Sequence, residues 1–188
     1  LSRELPGLDL DFVGSDDRHG THLAMEHLIS LGHRRIAFLG ESQAISTGRN
    51  RYSGYRESLA KHGLSLDPAI VHSAYGTREN GLKGIQKVLD AAEPPTAAVC
   101  FNDLTAFGAM LGLRHRGREA GVDFSIVGCD DVQEAAQWFP ALTTIKNFQE
   151  EMGRKSAEFL IQRIADPSAP PRRLTLTPEL VVRGTTAP

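Results

Sequence analysis

The sequence predicts an α/β fold built on a doubly wound parallel sheet. Short apolar runs alternate with segments of helical periodicity, and the links between them are brief. The run at 96–101 carries no charged residue, which is typical of a strand buried on both faces of a sheet. The runs end in small or polar clusters. Because the carboxyl ends of parallel strands lie side by side, these clusters should converge on a crevice that can hold a small molecule.

The individual elements follow from periodicity and from the residues that start and stop them. Gly32 and Gly63 end helical segments, Thr77 caps another, and a proline pair at 94–95 closes a connection. The predicted strands are 8–14, 35–39, 69–72, 96–101, 124–128 and 142–145, with two closing strands at 174–176 and 180–182. The predicted helices are 20–31, 49–62, 77–92, 103–116, 132–138 and 148–165, with a loop at 40–48 and a proline-rich linker at 167–171.

Composition limits the classes of function. The chain has 188 residues, 40% of them hydrophobic, which suits one large domain or two small lobes. The formal net charge of −2 does not indicate a nucleic-acid or acidic-membrane surface. No apolar run reaches membrane-spanning length and no signal peptide opens the chain. We therefore expect a cytoplasmic protein, and the start at Leu1 rather than Met indicates a fragment.

Metal, cofactor and enzyme signatures are weak. We expect the thiols of Cys100 and Cys129 to be buried rather than joined or bound to metal. His19 and His22 lie one helical turn apart, but no nearby ligand set completes a metal site, so a solvated helix face is favoured. The dinucleotide fingerprint, the phosphate-binding loop and the nucleophile elbow are all absent from the sequence. We expect no metal, no cofactor and no catalytic residue.

Polar residues at the predicted strand ends are the candidate binding groups. Asn102 follows one strand and Asp130 follows the next, where one aspartate of the pair 130–131 would face a ligand and the other would form the turn. Arg51 lies near the start of a helix; for Arg49, surface charge is an equal alternative. A carboxylate accepts hydrogen bonds from neighbouring hydroxyls, a guanidinium donates in a fixed fork and an amide does both. Such a set suits a sugar, a nucleoside or a similar polyol, and favours binding over turnover.

Six segments, taken in order, resemble the lactose-repressor (LacI) family of bacterial transcription regulators. They are HLISLGHRRIAFLG (27–40), RYSGYRESLAKHG (51–63), AVCFNDLTAFGA (98–109), FSIVGCDD (124–131), LTTI (142–145) and PELVVRGT (178–185). The similarity covers nearly the whole chain. It implies a periplasmic-binding-protein-like sensor with two Rossmann-like lobes, an effector in the cleft between them, and a homodimer.

The resemblance also implies roles for single residues. Arg51 matches the effector-contacting arginine, Asn102 the cleft residue after a strand, and Asp130 the carboxylate that binds hydroxyls. Asp16 matches an aspartate near the crossover between lobes, with Asp17 standing where the family usually has asparagine. Gln149 lies near a position that often faces the cleft.

Other implications concern stacking, assembly and domain boundaries. The aromatic residue that stacks on the effector would fall at Gly76, with Tyr75 beside it. Phe107, on the helix after Asn102, and Trp138 are expected to meet a second subunit. The boundaries are 1–15 for a hinge or remnant of the first lobe, 16–145 for the second lobe, and 146–188 for a crossover helix and tail strands that complete the first lobe.

Two classes of protein with this architecture remain open. One is the sensor region of a regulator, which would reach operator DNA only through an N-terminal helix-turn-helix headpiece missing from this chain. The other is a periplasmic sugar-binding protein of a transport system. The segments 32–37 and 102–109 favour the regulator, and an enzyme is a distant third.

Overall fold

The computed structural model describes residue 3 and residues 7–40 and 43–188. Residues 1–2 and 4–6 of the predicted segment 1–15, and residues 41–42 of the predicted loop 40–48, lie outside the described residues. The strands are β1 (Phe12–Ser15), β2 (Ile36–Gly40), β3 (Val71–Ser73), β4 (Ala97–Cys100), β5 (Ser125–Asp130), β6 (Thr143–Lys146), β7 (Arg173–Leu176) and β8 (Glu179–Val181). The helices are α1 (Asp17–Ser30), α2 (Ser46–Lys61), α3 (Arg78–Leu89), α4 (Asp103–His115), α5 (Gln133–Gln137) and α6 (Gln149–Ala165), with a short 3-10 turn at Pro68–Ile70.

Six of the strands form one sheet in the order β3-β2-β4-β5-β6-β8. Its strands are parallel except β8, which runs antiparallel to β6. The remaining two strands, β1 and β7, pair in parallel as a separate small sheet. The α/β fold with a parallel sheet is thus confirmed.

Helices cover both faces of the six-stranded sheet. Alternate side chains of β2 point to opposite sides: Ala37 and Leu39 pack with the residues of α3 and α4, whereas Ile36 and Phe38 pack with those of α1 and α2. The hydroxyl of Tyr55, which is fully buried, donates to the Ile36 carbonyl at 2.9 Å. With both faces covered, the carboxyl edge of the sheet stays open for a ligand.

Several helices and strands begin or end at residues other than the predicted ones. Helix α2 begins at Ser46 rather than at residue 49, and β5 continues to Asp130 rather than ending at 128. The predicted placement of both tail strands in the first lobe is wrong for β8, because its backbone pairs with β6 at the edge of the large sheet. Strand β7 does pair away from that sheet, with β1.

The prediction that Phe107 lies at a subunit interface is wrong. Its side chain is fully buried in the core beneath α4, so it has no surface to offer a partner. The Trp138 ring stacks on it, with centroids 4.5 Å apart and planes 18° apart, and covers the core as a partly buried residue. The aromatic pair therefore stabilises this unit from within.

Within the described ranges, no helix is both long and apolar enough to cross a membrane.

Candidate functional site at the carboxyl edge of the sheet

Three adjacent parallel strands, β4, β5 and β6, bring polar residues to the same edge of the sheet. Asn102 lies two residues beyond β4, Asp130 is the last residue of β5, and Asn147 directly follows β6. Asn147 Nδ2 donates to Asp130 Oδ1 at 3.0 Å and to Cys129 Sγ at 3.1 Å. The ends of β5 and β6 are therefore joined by Asn147, whereas Asn102 lies at the end of the neighbouring strand β4.

Arg51 extends from α2 into this edge and is almost completely buried. Its Nε donates to Asp17 Oδ1 at 2.8 Å, and its Nη2 lies 3.8 Å from Asp130 Oδ1. A further nitrogen donates to the Phe101 carbonyl, and the guanidinium carbon lies 4.6 Å from the centroid of the Phe101 ring. Arg51 thus connects the start of α1 with the ends of β4 and β5.

The two carboxyl groups beside Arg51 share one electrostatic environment. Burial raises the pKa of Asp17 above its ordinary value, and the Arg51 guanidinium opposes that rise. Burial likewise raises the pKa of Asp130, with Arg51 and the Asn147 amide acting in the opposite direction. The positive charge therefore offsets part of the cost of placing two carboxylates here.

Asp130 has an unusual backbone conformation that sets the direction of its carboxylate. Its φ is +123° and that of Asp131 is +53°, in the region that side-chain-bearing residues rarely adopt. The Asp130 side chain is 29% exposed, whereas the Arg51 side chain is 9% exposed. Of these two ion-paired residues, Asp130 is therefore the one that a solute can reach.

A cavity of about 300 Å³ opens next to Asp130. The residues that line it are Asp130, Asp131, Lys146, Phe148, Gln149, Glu150 and Glu151. The Lys146 ammonium lies 5.0 Å from the centroid of the Phe148 ring. The cavity thus combines carboxylate acceptors, an ammonium donor, an amide and an aromatic ring, which can bind the hydroxyls and the C–H face of a polyol.

A larger cavity, of about 530 Å³, lies between β1 and α6. Apolar and ion-paired residues line it, including Leu10, Val13, Phe159 and Leu160, and it contains none of the strand-end polar groups. We therefore take the smaller cavity as the candidate site, because hydrogen-bonding side chains line it, although the other cavity is larger.

Asn102 lies next to the loop that carries Tyr75, and neither residue lines the smaller cavity. Asn102 Oδ1 accepts from Thr105 N at 2.9 Å and thereby caps α4, while its Nδ2 donates to the Gly76 carbonyl at 2.9 Å. The Tyr75 side chain is 76% exposed. Asn102 thus anchors the loop that carries Tyr75, and contact of either side chain with an effector stays a prediction.

Asp16 and Gln149 lie at the starts of α1 and α6. The exposed carboxylate of Asp16 accepts from His19 N at 2.9 Å and caps α1, whereas its neighbour Asp17 points inward to Arg51. Gln149 lines the cavity with Asp130, and its contact with an effector stays a prediction. Of the residues predicted for the site, then, Asp130 lies near Arg51 and lines a cavity with Gln149, whereas Asp16 faces outward.

Sequence reasoning missed Asn147, Lys146 and Asp17. The signal for Asn147 was available, because it follows β6 directly, in the same way that polar residues follow the other strands. Asp17 could not be distinguished from Asp16, since adjacent residues at a helix start differ only in which way each side chain points.

The structure also shows the surroundings of the histidine and cysteine side chains considered in the sequence. His22 bonds to Ser58 Oγ at 2.8 Å and to Glu57 at 3.2 Å. Cys100 and Cys129 are buried free thiols, and burial raises the pKa of both. Among residues that the structure describes, no group of three or more histidine, cysteine or acidic side chains is arranged to hold a metal ion.

Comparison with known proteins identifies the family. Residues 25–186 match the family model of the periplasmic binding protein-like domain. The HTH-type transcriptional repressor PurR of Haemophilus influenzae (strain PittEE) is 31% identical over 181 residues, which cover 95% of this chain and 54% of the relative. The chain thus spans about half the length of the curated relatives it matches.

Solved structures agree with this assignment. The transcriptional regulator CelR in complex with cellobiose is 33% identical, with a TM-score of 0.91 over 97% of this chain and 56% of that one. A LacI family regulator from Enterococcus faecium with bound ribose is 30% identical, with a TM-score of 0.89 over 98% of this chain and 68% of that one. The chain therefore belongs to the periplasmic binding protein-like domain family, and within it to the effector-binding regions of LacI-family regulators.

Proposed function

We propose that this chain senses a sugar or related polyol for a LacI-type bacterial transcription regulator. The observation that carries the proposal is the partly exposed Asp130 carboxylate, held by Asn147 at the mouth of a cavity that Lys146 and Gln149 also line. A carboxylate that accepts from two hydroxyls, next to an ammonium and an amide that donate, is a typical arrangement for sugar binding.

The relatives support the class of ligand and the class of protein. Two similar regulators were solved with cellobiose and with ribose, which are both neutral polyols. The matched relatives are transcription regulators, which favours sensing over transport and over catalysis. We accordingly propose a cytoplasmic, non-enzymatic protein.

Signal transmission is proposed to run through the junction of the two sheets. Asn147 accepts a hydrogen bond from Ser15 Oγ at 3.1 Å, so the residue that holds Asp130 also touches the end of β1. We propose that β1, β7 and α6 belong to the first lobe, and that effector binding changes the angle between lobes. In a homodimer, that change would alter the spacing of N-terminal headpieces on operator DNA.

A ligand screen on the natural full-length protein tests the proposal. D-ribose, cellobiose and a set of further sugars, polyols and nucleosides are added while the melting temperature is recorded. A ligand at one hundred times its Kd should stabilise the native state by about 2.7 kcal/mol. A saturable rise with a sugar or polyol supports the proposal, and a rise with nucleosides alone, or with none of these compounds, contradicts the ligand class.

A further inference from the structure

Asp103 is a buried acidic residue that the proposed binding chemistry does not use. It is the first residue of α4, and its side chain is 1% exposed. Its Oδ1 accepts from the Thr144 hydroxyl at 2.5 Å and its Oδ2 accepts from the Val132 backbone N–H at 2.9 Å. One carboxylate therefore joins the start of α4, strand β6 and the link that follows β5.

The link that Asp103 holds contains the strained turn of the effector site. Asp130 and Asp131 both have positive φ, which persists in residues other than glycine only where the surroundings impose it. Arg183 Nη2 donates to Asp131 Oδ1 at 2.6 Å from one side. On the other side, the Val132 N–H is fixed by Asp103. The turn is thus anchored at two successive residues, directly after Asp130.

The glycine at position 128 of β5 leaves room for the Asp103 carboxylate to reach Thr144. A Cβ atom at Gly128 would lie 2.3 Å from Asp103 Oδ1 and 3.2 Å from Thr144 Oγ1. Both distances are shorter than an ordinary van der Waals contact, so glycine at this position leaves the space that the hydrogen bond occupies. Asp103 itself is absent from the lining of the cavity next to Asp130.

We propose that Asp103 is a positioning residue of the effector site, which holds the turn at 130–132 in the conformation that presents the Asp130 carboxylate to the cavity. The proposal rests on the proposed function in treating Asp130 as the ligand acceptor. The position needs a hydrogen-bonding atom opposite each of its two partners, Val132 N–H and the Thr144 hydroxyl, and it does not need charge. Asparagine can accept from the Val132 N–H through its oxygen and donate to the Thr144 hydroxyl through its nitrogen.

The test compares Asp103→Ala with Asp103→Asn in the full-length protein. Nuclear magnetic resonance couplings between HN and Hα, together with Cα shifts, report φ at Asp130 and Asp131 without any ligand. Asp103→Ala should shift both residues away from their wild-type values, and Asp103→Asn should restore them. Asp123→Ala is the matched control, because this carboxylate also accepts from a backbone N–H, that of Glu119 at 2.9 Å, but before β5 rather than after it.

Binding of D-ribose, measured by calorimetry, is the second readout. Asp103→Ala should weaken binding at least about tenfold, as expected when a buried hydrogen bond is lost, and Asp103→Asn should recover most of that loss. Where Asp103→Ala does not fold, Thr144→Val removes one donor at similar volume and should shift the same couplings.

Wild-type couplings at both aspartates in the alanine variant, or in Thr144→Val where it takes that variant's place, would overturn the proposal. So would a shift in Asp103→Asn as large as that in Asp103→Ala. If the wild-type protein does not bind D-ribose, that result bears on the proposed function and leaves the coupling measurement to decide the role of Asp103.

Discussion

The buried ion pair between Arg51 and Asp17 gives the clearest stability prediction. Replacing Arg51 by methionine keeps most of the side-chain volume but leaves Asp17, which is 9% exposed, without the guanidinium that lies 2.8 Å away. Asp130 loses the same partner at 3.8 Å, and the Phe101 carbonyl loses its donor. Removing one member of a buried pair costs about 3–5 kcal/mol, so we expect a loss of that size in the free energy of unfolding.

Urea denaturation followed by circular dichroism measures this loss, provided that the slope against urea is unchanged. Asp17→Asn is the matched control, since the asparagine oxygen can still accept from Arg51 Nε while Asp130 remains near the guanidinium. Its expected cost is smaller, about 1–2 kcal/mol. A cost below about 1 kcal/mol for Arg51→Met, or equal destabilisation of the two variants, would show that the buried ion pair does not stabilise the fold.

Three further predictions concern residues that support the site or the core. Burial raises the pKa of Asp103 to about 6, from an ordinary value of 3.8, so the folded state takes up this proton first as the pH falls. Relative to Asp103→Asn, the free energy of unfolding of the wild type should therefore decrease by up to about 3 kcal/mol as the pH rises from about 4 to about 6. If urea titrations show that the difference between the two proteins does not change with pH, this prediction is wrong. Trp138→Ala should lower the free energy of unfolding by about 2–3 kcal/mol because the ring stacks on Phe107; a loss below about 1 kcal/mol in the same assay would mean that the ring does not stabilise the core. Gly128→Ala should cost about 1–3 kcal/mol, since its Cβ would meet Asp103 Oδ1 at 2.3 Å, and a thermal melt that matches the wild type would show that the contact is relieved.

The order of elements could be predicted because it depends on local signals. Apolar runs bounded by glycine, proline and polar residues correspond to β2, β4 and β5, and the helices between them follow from periodicity. The pairing of β8 with β6 could not be predicted, because it joins residues far apart in the chain and nothing in the run at 180–182 specifies a partner strand.

The sequence identified some residues that lie together at the candidate site, but Asn102 lies outside the cavity that Asp130 lines. Asp130 and Gln149 do line one cavity, and Arg51 does reach Asp130. The inward direction of Asp17 rather than Asp16 depends on the first turn of α1, and the orientation of Asp130 depends on a positive φ. Both are set by contacts with other elements, which periodicity and residue type do not encode.

Phe107 shows the same limit in the core. A helix such as α4, which is apolar on most of its faces, gives no pattern to separate a residue that packs on the sheet from one that meets a partner. In the structure, Phe107 is buried in the core and stacks on Trp138, so it is not part of the surface.

We propose that Asp130 binds the effector at the carboxyl edge of the sheet. The most direct test of this proposal is calorimetry on full-length Asp130→Ala, with the sugar that gives the largest thermal shift in the screen, and with urea denaturation of the same preparation. We expect the affinity for the sugar to fall at least about a hundredfold, because a partly buried carboxylate that accepts from hydroxyls is removed. The free energy of unfolding should stay within about 1 kcal/mol of the wild type. Unchanged affinity in a folded variant would show that Asp130 does not bind the effector.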